Sequence, residues 1–154
     1  QRRGELLGVF VADFLDASRA RSKRVARLAL AGLALAVQGN PAEVYAERDS
    51  LLELSRGGDA RALAAAGAVA ALCGANANYR GKLLGHLLRT MSTVSDRDLP
   101  RWVDVVSPAV AGSAEAVRKL ELALQARVEG LPEAAAKRLR RALTKLHKST
   151  VKRP

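Results

Sequence analysis

Residues 62–73 run twelve positions without one polar side chain, inside the stretch 59–74, DARALAAAGAVAALCG. Alanine and leucine favour a helix, and a helix that is apolar all the way round must be covered on every side. Twelve residues rise about 18 Å, well short of a bilayer core about 30 Å thick. The stretch is therefore predicted to be the buried helix of a soluble helical domain, with the rest of the chain packed around it. Asp59 stands where an N-cap belongs. The one cysteine, Cys73, lies inside the run with no Cys or His at ligand spacing. It is predicted to be a small buried hydrophobe, and the absence of a disulfide partner points to a reducing, cytoplasmic setting.

The flanking sequence reads as more helix. Aromatic residues make up only 3% of the chain, which argues against a β-sandwich or barrel and suits Ala/Leu packing. Apolar spacing and punctuation predict helices over residues 4–16, 19–37, 41–55, 59–74, 76–91, 114–129 and 132–147, and one that Ser95-x-x-Asp98 and Pro100 start and that runs through Trp102, Val105 and Val106. Gly39, the Gly57-Gly58 pair, Gly112 and Gly130 are the expected stops, and Pro108 is expected to kink or divide its helix. About eight helices and no strands follow. Residues 1–148 are read as one domain and residues 149–154 as a basic tail.

There is also an internal echo. AGLALAVQG at residues 31–39 aligns with AGAVAALCG at 66–74 after a shift of 35, and VVSPAVAG at 105–112 ends in the same manner 38 residues later. Helix pairs recurring at this interval are the sequence mark of a helical solenoid. On that period and hydrophobic pattern, residues 19–147 resemble the HEAT/armadillo-like superfamily. The resemblance implies an all-α, right-handed α-α superhelix of about four helix pairs. A compact, non-repeating helical bundle is the alternative.

The formal charge of +11 is distributed unevenly. Residues 1–27 are net +4, residues 28–136 are net −1, and residues 137–154 carry eight Lys/Arg and no acid. A neutral middle with basic ends is what a surface for an anionic polymer requires. On the last helix Leu139, Ala142, Leu143 and Leu146 share one arc, while Lys137, Arg141, Lys145 and Lys148 form a stripe on another, flanked by Arg138 and Arg140. Near the amino terminus Arg19, Lys23 and Arg27 fall at i, i+4 spacing, with Arg24 beside them.

These residues are the expected contacts to the phosphate backbone of a structured RNA or duplex DNA. So few aromatics speak against single-strand recognition by base stacking. A basic helix lacking Trp and Phe speaks against a membrane partner. The other reading is a scaffold that docks an acidic protein through groove residues such as His86, Arg89 and Trp102.

No enzyme is expected. Neither His86 nor His147 has a nucleophile or a ligand set at usable spacing, and no glycine-rich phosphate loop is present, so no metal and no cofactor are expected. An alkylpurine-type DNA glycosylase would need an acid beside aromatic residues, and Arg101, Trp102 and Asp104 are the one comparable cluster. That reading requires Asp104 in an open cleft.

Overall fold

The computed structural model describes residues 10–151. Among them lie nine α-helices and no strand: α1 (Val11–Ser18), α2 (Lys23–Ala36), α3 (Pro41–Ala46), α4 (Arg48–Ser55), α5 (Ala60–Ala75), α6 (Ala77–Thr93), α7 (Leu99–Val110), α8 (Ala114–Val128) and α9 (Glu133–Val151). The expected all-α class is the one observed.

Four helices open on a polar cap. The side chains of Ser22, Asp59, Asn76 and Ser113 accept backbone N–H groups at the starts of α2, α5, α6 and α8. Each satisfies a donor that the first helical turn would leave unpaired. Asp59 Oδ1 takes two, from Arg61 and Ala62 at 3.1 and 3.0 Å. Gly112 follows α7 with φ of 78°, a left-handed conformation that suits glycine and ends the helix.

Helix α5 is enclosed as its composition demands. It packs against α2, α3, α4, α6 and α7, and Ala62, Ala65, Ala66, Ala68, Val69, Ala70, Leu72 and Cys73 are all buried. Small side chains permit the close approach. A Cβ at Gly74 would stand 2.9 Å from the Pro108 carbonyl oxygen of α7, so only glycine fits there without displacing backbone.

Beyond α5 the packing follows chain order in two layers. In one, α2 packs on α5, α5 on α7, and α7 on α9. In the other, the Tyr45 ring of α3 stacks on Tyr79 of α6, with centroids 4.1 Å apart. Helices α4 and α6 line one small cavity, and α6 packs in turn on α8. Arg127 of α8 ties the α6–α7 link, donating to the Met91 carbonyl at 2.9 Å and to Asp96 at 2.6 Å. In the row α2–α5–α7–α9 the helices α2 and α9 are the two end members, and α1 packs on α2.

Several boundaries differ from those expected. Residues 41–55 form two helices rather than one, because the backbone leaves helical geometry at Glu47 (φ −94°, ψ 13°). Pro108 does not divide its helix. It lies in the last turn of α7 with an exposed ring, and the helix runs two residues past it to Val110 although the proline lacks the N–H that would bond to the Asp104 carbonyl. Helix α2 begins at Lys23, so Arg19 and Arg21 precede it and the expected Arg19–Lys23–Arg27 stripe is not one helix face. Helix α9 runs on to Val151, so residues 149–151 are helical rather than tail. Residues 4–9 of the first expected helix, and residues 152–154, lie outside the described residues.

Candidate nucleic-acid interface

The carboxy-terminal helix divides as its sequence arc predicts. Ala136, Leu139 and Leu146 are buried, with Ala135, Ala142 and Leu143 half-buried beside them, and the helix packs on α7 and α8. A fully buried leucine contributes roughly 1.5–3 kcal/mol, enough to seat the helix. Lys137, Arg138, Arg140, Arg141, Lys145 and Lys148 are all exposed.

Lys137, Arg140, Arg141, Lys145 and Lys148 line a shallow depression of about 440 Å³ with Thr144. Arg138, Arg141 and Lys145 also line the groove between α9 and α7, about 300 Å³, together with Pro100 and Asp104. None of these six cations forms an ion pair among the described residues; the one ion pair on α9 joins His147 to Glu121 of α8. The sequence places five like-charged pairs here at i, i+3 or i, i+4: 137/140, 137/141, 138/141, 141/145 and 145/148. At a few tenths of a kcal/mol each, their repulsion costs about 1–2 kcal/mol.

The amino-terminal cations are organised differently. Arg19 donates to Ser50 Oγ of α4 at 3.2 Å. Lys23, Arg24 and Arg27 lie on α2 and are exposed. Around them α2 also exposes apolar side chains, Leu28 at 64% and Leu35 at 52%. Helix α5, whose one charged residue is Arg61, and the net-neutral α7 separate this cluster from α9. At roughly 8–10 Å per helix, the two basic helices stand roughly 25–30 Å apart.

Trp102 is 5% exposed and belongs to the core. Asp104 is exposed in the α7–α9 groove, among arginines and lysine and with no aromatic side chain lining it. His86 is half-buried and faces a cavity, its Nδ1 accepting from Arg89 Nη2 at 3.0 Å. His147 is exposed. Cys73 is buried, and burial pushes its thiol up to about 12, against a small opposing pull from Arg80. Among the described residues no group of three His, Cys, Asp or Glu is placed to hold a metal, and no helix is long and apolar enough to cross a membrane.

Two arrangements escaped the sequence reading. Tyr45 and Tyr79 stack nearly parallel, at 11°, with the Arg48 guanidinium 4.6 Å from the Tyr45 centroid. The cavity that His86 faces also joins Arg56 and Arg89. Both bring together residues about 30 positions apart, which a helical period alone does not pair.

Fold and charge together define an all-α protein of layered helices with a basic helix at each end of one layer. No family model, curated protein or solved structure matches the chain.

Proposed function

We propose that the protein is a non-enzymatic, HEAT-like helical-repeat protein that binds nucleic acid through the phosphate backbone. The observation that carries this reading is α9: six exposed cations without an ion-pair partner among the described residues, on a helix that their mutual repulsion destabilises. An anionic polymer relieves that repulsion; solvent alone only screens it. The contacts are Lys137, Arg138, Arg141, Lys145 and Lys148, with Arg19, Lys23, Arg24 and Arg27 at the far end of the layer. Engagement of both clusters by one helix of structured RNA or DNA requires a segment that bridges roughly 25–30 Å, about eight steps of duplex at 3.4 Å each. The glycosylase alternative loses support, because Trp102 is buried and no other aromatic lines the Asp104 groove.

A protein scaffold is the second reading, and the exposed Leu28 and Leu35 favour it. Phosphate contacts gain nothing from bare leucines, whereas an acidic amphipathic segment would use them together with Arg24 and Arg27.

Fluorescence anisotropy with a structured RNA and a duplex DNA, from about 50 to about 300 mM salt, separates the two. Five or more phosphate contacts predict an affinity loss of about three orders of magnitude across that range. The variant R141E/K145E/K148E should bind weakly at every salt concentration and with a shallower slope. Binding that ignores salt, or absence of binding at about 50 mM, refutes the nucleic-acid reading.

A further inference from the structure

A small cavity lies between α4 and α6, on the layer opposite the basic end helices. Its volume is about 130 Å³, and Leu52, Ser55, Arg56, His86, Arg89 and Thr90 line it. That is the room of about four waters, below the roughly 300 Å³ at which small-molecule pockets begin. A nucleoside does not fit; a tetrahedral group of five heavy atoms does.

We infer that this cavity is a phosphate site, held by the guanidinium groups of Arg56 and Arg89 and the imidazole of His86. The first argument is charge. Arg48, Arg61 and Arg127 meet Asp49, Asp59 and Asp96, while Arg80, Arg97, Arg101 and Arg118 form no ion pair among the described residues. Among the described residues Arg56 and Arg89 have none, although residues 28–136 carry one more acid than base. Two uncompensated guanidinium groups therefore converge on one cavity.

The second argument is the direction of the hydrogen bonds. Arginine can only donate, so the 3.0 Å contact from Arg89 makes His86 Nδ1 an acceptor. In a neutral imidazole that leaves Nε2 carrying the proton, a third donor for an oxyanion. The hydroxyls of Ser55 and Thr90 do not compete for this role. They donate to the carbonyls of Leu52 and His86, at 2.8 and 3.0 Å. The cavity thus offers planar forks and a ring N–H, and no carboxylate lines it. Arginine forks match phosphate oxygens with paired, charge-assisted bonds.

The inference does not rest on the nucleic-acid reading, because the first probe is inorganic phosphate. Heteronuclear NMR at constant ionic strength, with chloride as the replaced anion, should show saturable shifts on α4 and α6 that include the His86 ring. R56E and R89E both change exposed side chains, so the fold should survive, and each should weaken binding about tenfold or more. The α9 variant R141E/K145E/K148E should leave the phosphate shifts in place.

A second arm compares a 5′-phosphorylated oligonucleotide with its 5′-hydroxyl form. Preference for the phosphorylated strand, lost in R56E, assigns the site to a strand end. Equal affinity, with inorganic phosphate still saturating, assigns it to the free ion. No saturation by about 20 mM phosphate, or shifts confined to α2 and α9, overturns the inference.

Discussion

Helices α5 and α9 are similar in length, at 16 and 19 residues, and opposite in what their sequences ask for. α5 carries no charge after Arg61 and is surrounded by five helices. α9 carries six exposed cations and packs on α7 and α8. The first is held by burial and close packing, the second by one apolar stripe against its own electrostatic strain. A substitution in α5 is therefore a question of folding, and one on the outer face of α9 a test of the proposed binding.

The comparison breaks most sharply at Val69. Val69→Asp places an unpaired carboxylate where no solvent reaches, and a loss of more than about 4 kcal/mol is expected. Chemical denaturation should find the variant unfolded or nearly so.

Cys73 gives the next largest effect, and it depends on pH. The folded protein keeps the thiol protonated up to about 12, whereas the ordinary value is 9.0. Between those values the unfolded chain holds fewer protons than the folded one. The contribution is complete below pH 9 and is lost as pH rises, by up to about 1.4 kcal/mol per unit. Urea midpoints of the native chain and Cys73→Ala should accordingly converge between pH 9 and pH 11. Parallel curves would show that the thiol is not confined as described.

Gly74→Ala tests the closeness of α5 and α7. Its Cβ meets a backbone oxygen, which yields less readily than a side chain, and a loss of about 1–3 kcal/mol is expected from thermal or urea unfolding.

The smallest effect on stability falls on α9, and its sign is reversed. Lys145→Glu turns the repulsive pairs with Arg141 and Lys148 into attractive ones, so the protein should gain a few tenths of a kcal/mol. The same change should weaken RNA or DNA binding and lower the salt slope by about one or more. If stability and affinity fall together, α9 is a structural element like α5.

The contrast also explains what could be read in advance. α5, its Asp59 cap and the two arcs of α9 are written in contiguous residues at helical spacing, and the structure shows all of them. The break at Glu47 is not legible, because both sides of it are good helix formers and nothing there stops a helix by itself. Basic residues suit a helix and the link before one equally well, so Arg19 does not mark the start of α2; Ser22, whose side chain accepts the Val25 N–H, does. The tyrosine stack and the Arg56–His86–Arg89 cavity depend on which helix lies beside which. That information resides in the layering rather than in any one segment.

The layering has a kinetic corollary. α5 touches both layers, so its amide hydrogens can exchange with solvent only when most of the molecule opens. α9 closes one end of a layer and can peel from α7 and α8 while α5 stays enclosed. Its amides then exchange through that local opening, at a rate set by Leu139 and Leu146 rather than by the whole core. An anion that quiets the repulsion along α9 acts as a latch on this opening, and slower exchange confined to residues 133–151 would be its footprint.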